Sequence, residues 1–373
     1  MGLQRFAPAS SSRVSAALTL ACRGGWVDGE LTAAEVAELV VASRLHRVAP
    51  LVHIATREPA PAVSELVRQD RDDAFGRNLA APLVLGELGR VLDDIRWLTF
   101  KGAVLSLTAH PAPGLRTFTD IDALVAPASL RSACERLAAA GWKLLDYDDM
   151  LAARPLPGEM HWLSPFGLGV DLHWSMINLE SRRIRFSIPV ESLIERRTTV
   201  SLGLAEVPAL DPLDALVHVC VHSSLDGANR LLQLVDADAL ARQVTDWTQL
   251  AARAKEWRAG AQVWLVLSRS RALLDTPVPA DLATLLGVPG GLRAFLSAVD
   301  RVTPVATVRS EHGFARLVAR ALRPGLAATG AAVVRNAVQG VFHRIRPPAA
   351  RQDRIPARPE TVQAFLAEVE RQR

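Results

Sequence analysis

Two short acidic runs hold the residues best suited to chemistry in this 373-residue chain. The first is Thr119-Asp120-Ile121-Asp122. The second is Val170-Asp171-Leu172-His173-Trp174, and it places Asp171 49 residues after Asp122. Both runs read as β-strands, on which side chains at i and i+2 share a face. Asp120 and Asp122 then point one way and Ile121 the other. Asp171 and His173 share a face opposite Val170, Leu172 and Trp174. Three carboxylates at one place repel one another and gain little from a dry core. A divalent cation relieves that repulsion, and oxygen donors of this kind suit Mg²⁺ or Mn²⁺ better than zinc. A metal pair held this way can clamp phosphates and activate an attacking oxygen.

The residues upstream fit the same chemistry. Lys101 is one of only three lysines and stands beside Gly102, where a strand gives way to a helix. A glycine there lets backbone amides approach a phosphate, and the helix terminus favours the anion. Arg116, four residues before Asp120, can neutralise a phosphate. His173 is placed to orient a carboxylate. Other pairings carry less. His218 and His222 are spaced i,i+4, but without the glutamate of an HExxH pattern they read as packing against the catalytic unit, or as one histidine reaching the nucleotide. Arg230 is expected to contact phosphate or pair with Asp226. Asp146, Asp148 and Asp149 read as a solvated acidic loop, and Gly24-Gly25 and Gly290-Gly291 have no phosphate-loop context.

Three stretches carry a family resemblance: Leu98-Thr99-Phe100-Lys101-Gly102-Ala103, then Gly114 to Val125, then Val170 to Trp174. Together they resemble the uncharacterised nucleotidyltransferase family within the polymerase-beta-like superfamily. Leu216–His222 and Arg230–Asp236 are similar to the family's region after the catalytic unit, so the resemblance spans about residues 30–270. It implies that Gly102 helps hold phosphates, that Asp120 and Asp122 bind Mg²⁺ or Mn²⁺, and that Asp171 completes the set. The superfamily's usual Gly-Ser pair is Gly102-Ala103 here, so a hydroxyl contact to phosphate is missing, and Lys101 or Arg116 is expected to compensate. The implied reaction moves a nucleoside monophosphate from a nucleoside triphosphate, with ATP the expected donor, to a peptide or small-molecule acceptor. The alternative is a non-catalytic nucleotide-binding or regulatory partner of the same fold.

The elements that must position these residues follow from pattern. Apolar residues make up 49% of the chain and charged residues 22%, a globular composition. Residues 1–95 read as a helical N-terminal region. Thr32 and Glu35 form a capping box, followed by apolar positions through Val48. A second helical stretch over 63–95 is expected to break near Pro82. Residues 96–205 alternate strands and helices, with strands near 96–100, 119–125, 142–145, 161–164 and 169–174. That mix predicts an α/β (α+β) core built on a mixed sheet. Residues 206–300 read as a helical bundle opened by Asp211-Pro212, a cap followed by proline at the first helical position. Residues 301–373 form a basic tail, with 13 arginines against five acidic residues. Its stretch 314–342 suggests an amphipathic helix or a packed helix pair, and 347–359 a linker before a last short helix.

The basic tail leaves peripheral membrane contact open. Few aromatics accompany it, which argues against nucleic acid. No apolar run is long enough to predict a membrane-spanning helix. Arg5, Arg13 and the apolar residues 14–22 only faintly resemble a secretion signal. Cys22, Cys134 and Cys220 lie far apart and predict reduced thiols in a cytoplasmic protein.

Overall fold

The computed structural model describes residues 12–203, 205–345 and 355–372. At its centre is a seven-stranded mixed sheet. The strands are β1 (Trp97–Phe100), β2 (Asp120–Val125), β3 (Lys143–Leu144), β4 (Glu159–Leu163), β5 (Gly169–His173), β6 (Thr198–Ser201) and β7 (Glu206–Ala209). Their order across the sheet is β3-β4-β5-β2-β1-β7-β6. The pairs β2–β5 and β1–β7 are parallel, and the remaining pairs are antiparallel. Helical regions flank this sheet on both sides, so the expected mixed α/β core is the observed one.

Strand alternation divides the sheet into two unlike faces. On one, Trp97, Ile121, Ala123, Val125, Met160, Trp162, Val170 and Leu172 are buried. They pack with Ala81, Val84, Leu85 and Leu88 of the helix Arg68–Val91 and with Leu130 and Leu137 of the helix Leu130–Ala139. The C-terminal helix Pro359–Glu370 adds Phe365, Leu366 and Val369 to this layer. Each fully buried leucine in it contributes roughly 1.5–3 kcal/mol. On the other face only Leu98, Phe100 and Leu124 join the large helical core. That core holds the helices Pro212–Asp226, Leu231–Ala241 and Gly260–Leu274. Where this second face is polar, the helices stand off and leave a cavity.

Local signals explain several boundaries. The Thr32 side chain accepts from Glu35 N, and Glu35 returns the bond to Thr32 N at 2.9 Å. Asp211 Oδ1 accepts from Leu213 N at 3.0 Å, with Pro212 opening the helix. Other expectations need correction. The helix begun at Ala33 stops at Leu45, and a new one starts at Ala49. Arg47 makes the break with φ 58, and Pro50 sits in the new first turn, where its missing N–H costs nothing. The helix Arg68–Val91 does not break at Pro82. Burial of Ala81, Pro82, Val84 and Leu85 along one side outweighs the lost hydrogen bond. Strands β6 and β7 are additional to the strands the pattern predicts, and Pro208 in β7 weakens the local strand signal there.

The basic stretch folds as two helices, Phe314–Ala321 and Leu326–Ile345, separated around Pro324. Among the described residues no single helix is long and apolar enough to cross a membrane. Phe314–Ala321 with Leu326–Gly340 passes as a pair by length and composition, bent by 120°. The expected linker lies largely outside the described residues, as does Arg5. Beyond it the chain returns to the sheet layer, where Asp148 N donates to Ile355 O at 2.9 Å and Ala357 N to Asp146 O at 3.1 Å.

Candidate active site

The register of the central strands assembles the site. Asp122 lies opposite Asp171 on the parallel β2–β5 pair, and Asp171 lies opposite His161 on β4. One position along, Leu124 faces His173, and His173 faces Glu159. Two acids and two histidines therefore line up across β2, β5 and β4, with Glu159 joining from the β4 edge. Like charges directly opposite on neighbouring strands are unfavourable, so the row needs cations.

Part of that need is met within the chain. Lys101 Nζ donates to Asp122 Oδ1 at 2.8 Å, and His173 Nε2 reaches the same oxygen at 3.1 Å. The Asp122 side chain is only 5% exposed. Burial alone would raise its carboxyl, but Lys101 and His173 hold it well below the usual carboxylate range. Burial would lower the Lys101 ammonium, yet Asp122, Glu159 and Asp120 together raise it. Lys101 caps the helix Gly102–Thr108 with φ 57, a backbone conformation costing a non-glycine residue about 1–3 kcal/mol. Next to it, Gly102 has a packing reason to lack a side chain. A Cβ there would lie 3.0 Å from Asp120 O and 3.3 Å from Phe118 Cβ.

Asp171 is less well served. Its nearest ionic partner, His161 Nε2, is 4.0 Å away. Burial first, then the charges of Asp120, Asp122 and Glu159, raise its carboxyl to about 7 against the opposing pull of His161. His161 is itself raised to about 10, chiefly by its bonds to Asp146 and Glu159. Its Nδ1 is 2.6 Å from Asp146 Oδ1, and its backbone N donates to Asp146 Oδ2 at 2.8 Å. Asp146 is 2% exposed, so it is a buried anchor for His161 and not the solvated loop residue expected. Glu159 Oε2 is 3.2 Å from His173 Nδ1, so both ring nitrogens of His173 face acceptors.

The donor set fits a divalent ion. Ligand atoms of Asp122, Asp171 and His173 lie within 4.8 Å of one another, as do those of Glu159, His161 and Asp171. Asp171 belongs to both groups, while Asp120 sits beside them at the half-buried mouth of β2 and belongs to neither. Lys101 Nζ already places a positive charge on Asp122 Oδ1. The structure thus joins Asp122, Asp171, His173 and Lys101 as the residue spacing suggested, and adds Glu159 and His161. The signal for those two was present, since Glu159 and His161 are i,i+2 on a strand whose alternate residues, Met160 and Trp162, are buried.

These groups open into a cavity of about 390 Å³. Its lining also includes Arg47, Arg182 and Arg230, the acids Asp226 and Asp236, and His218 and His222. His218 packs edge-on against Phe100, with ring centroids 5.0 Å apart, and Phe100 does the same to His173 at 5.1 Å. Arg230 pairs with Asp226 at 3.7 Å and also with Glu311. Arg116 lines the cavity too, but its guanidinium is engaged. Nε and Nη2 each donate to Asp236 at 2.9 Å, Nη1 donates to Gly102 O at 3.2 Å, and His110 Nε2 is 2.9 Å from Asp236 Oδ1. Arg116 therefore braces the loop before β2 against the helix Leu231–Ala241. Arg47 stands on the turn between two N-terminal helices, among Arg230, Asp226, Asp120 and Arg116.

The profile of a family described as uncharacterised nucleotidyltransferase matches residues 32–275. The chain belongs to that family, and the matched residues include the whole sheet. Comparison with curated proteins returns no match. Among solved structures, the chain is similar to an antigenic nucleotidyltransferase-like protein from Paracoccidioides brasiliensis. Identity is 14% over 54% of this chain and 94% of that one, with a TM-score of 0.34.

Proposed function

We propose that the protein is a metal-dependent nucleotidyltransferase that moves a nucleoside monophosphate from a nucleoside triphosphate, with ATP the expected donor, to a hydroxyl or phosphate of a small-molecule or peptide acceptor. The observation that carries the reading is the parallel pairing of Asp122 with Asp171. It sets two carboxylates side by side in a cavity whose lining also carries Lys101, Arg47, Arg182 and Arg230. Carboxylates and cations lining one cavity suit the metal and the phosphates of a bound triphosphate.

Asp120, Asp122 and Asp171 would hold Mg²⁺ or Mn²⁺, with His173 beside them. Bound there, the metal would neutralise charge on the phosphates and favour the attacking oxygen. The chain's own groups supply the rest. Lys101 and the backbone at Gly102 would meet phosphate oxygens. Arg47 adds a cation from the N-terminal helices, and Arg116 holds the loop that delivers Asp120. Asp171 would ligate the ion in its ionised form and, beside the reacting oxygen, would help an acceptor hydroxyl lose its proton. His161, fixed by Asp146, holds a positive charge beside Asp171.

Incubation with α-labelled nucleoside triphosphates, Mg²⁺ and a metabolite or peptide pool should label an acceptor. Asp120→Ala with Asp122→Ala should abolish that label. Labelling that survives both substitutions would sink the reading.

A further inference from the structure

A second cavity, of about 640 Å³, adjoins the first, and Arg182 lines both. Arg185, Arg316 and Arg320 complete its basic lining. Arg316 and Arg320 are i,i+4 on the helix Phe314–Ala321 and so share a face. The carboxylate in this lining, Glu311, is already engaged by Arg230. The side chains of Arg182, Arg316 and Arg320 make no hydrogen bond or ion pair among the described residues. Arg185 donates only to the backbone carbonyls of Ser181 and Arg320, at 3.2 and 3.5 Å.

Such a gathering of half-buried guanidinium groups opposes folding. Burial first, then the neighbouring arginine charges, depress Arg182 and Arg316, and Arg185 falls to about 10. The arrangement is nonetheless built in. Gly227 ends the helix Pro212–Asp226 with φ 113, and a Cβ there would lie 2.3 Å from Arg316 Cγ. The missing side chain gives the Arg316 stem its seat against the helix that also carries His218 and His222.

We infer that this arginine-lined cavity seats a phosphate group of the acceptor beside the carboxylate cluster. The inference rests on the nucleotidyl-transfer reading. Four guanidinium groups suit a doubly charged tetrahedral anion, whose several oxygens accept from planar forks, better than a single carboxylate. The donor's phosphates have cations of their own in the first cavity, Lys101 and Arg47. The helix Phe314–Ala321 lies beyond residues 32–275, the part shared with the family. The second cavity is thus walled on one side by Arg182 and Arg185 from the matched stretch and on the other by residues outside it. Its size is that of an ordinary small-molecule site.

The test is calorimetric titration of the full chain at low ionic strength, first with inorganic phosphate and then with Mg·ATP. Arg320→Ala should weaken phosphate about tenfold or more, the equivalent of losing one charge-assisted contact, and leave Mg·ATP within about twofold. Arg316→Lys, which keeps the charge and the packed stem, should weaken phosphate less. Asp122→Asn should do the reverse, weakening Mg·ATP and sparing phosphate. Phosphate affinity unchanged in Arg320→Ala and in Arg182→Gln, with both variants folded by circular dichroism, would overturn the site. Equal losses of phosphate and Mg·ATP in Arg320→Ala would overturn it too, by assigning the cluster to the donor. Wild-type protein that binds phosphate through Arg320 but does not bind Mg·ATP would defeat the nucleotidyl reading and the acceptor role, leaving a plain phosphate site.

Discussion

Two buried aspartates on the walls of one cavity have nearly the same partners and opposite characters. Asp236 receives Arg116 and His110; Asp122 receives Lys101 and His173. Both side chains are 5% exposed, and in both the cations outweigh burial and lower the carboxyl. The neighbours differ. Asp236 accepts a two-pronged guanidinium and an imidazole, and the cluster closes on itself. Asp122 has Asp171 directly across the strand pair and Asp120 two residues away, so its cluster carries surplus negative charge. Burial first, and then the charges of Asp120 and Asp122, raise the carboxyl of Asp171 to about 7. A closed cluster is a brace, whereas one with uncompensated charge facing a cavity is arranged to receive a cation.

Substitutions should separate the two. The largest effect is expected in Asp122→Ala, which should lower nucleotidyl transfer by about a hundredfold or more, since several kcal/mol of charge stabilisation are at stake. Initial rates on the labelled acceptor give the measurement. Asp236→Ala should act mainly on stability. It strands Arg116 in a half-buried position, at a cost of about 3–5 kcal/mol, read by chemical denaturation. If Asp236→Ala left stability unchanged, or if Asp122→Ala left transfer intact, the contrast between brace and site would fail.

A pH series sharpens the contrast. The folded-state carboxyl of Asp171 is raised, so the native chain binds its proton more tightly than the unfolded chain does. Without metal, its contribution falls as pH rises from about 4 to about 7, by at most about 1.4 kcal/mol per pH unit, then levels off. A divalent ion needs the ionised carboxylate, so the stabilisation Mg²⁺ provides should grow over the same interval. Melting temperatures with and without Mg²⁺ from pH 5 to 8 should diverge, and Asp171→Asn should flatten both trends. The smallest effect is expected from His161→Gln. Removing that positive charge should raise Asp171 further and shift the acidic limb of the rate profile to higher pH, with roughly a tenfold loss of rate. An unmoved limb would show that His161 does not tune Asp171.

The sequence revealed the strands of the site more readily than their neighbours. Asp122, Asp171 and His173 are legible because strand geometry orders i and i+2 without reference to the rest of the fold, whereas Asp120 shares the spacing and stands outside the cluster. Glu159 and His161 share that spacing, but their place in the site depends on β4 pairing with β5, which no local pattern states. Asp146 reads as a polar loop residue, and only its pairing with His161 explains its burial. Arg116 was expected at phosphate because it stands near Asp120. Its partner Asp236 is 120 residues away, a separation that hides the brace. The basic tail read as a surface, whereas the fold brings Arg316 and Arg320 to a cavity and the last helix back to the sheet.

The central claim is that the face bearing Asp122 and Asp171 holds a divalent ion together with a nucleoside triphosphate. Equilibrium binding of α-labelled ATP to the full chain, with and without Mn²⁺, tests it most directly. The account predicts binding that requires the ion and is lost in both Asp122→Asn and Asp171→Asn, while an Asp236→Asn protein that remains folded keeps it. ATP binding that is indifferent to the ion, or equal in the wild type and the two site variants, would contradict it.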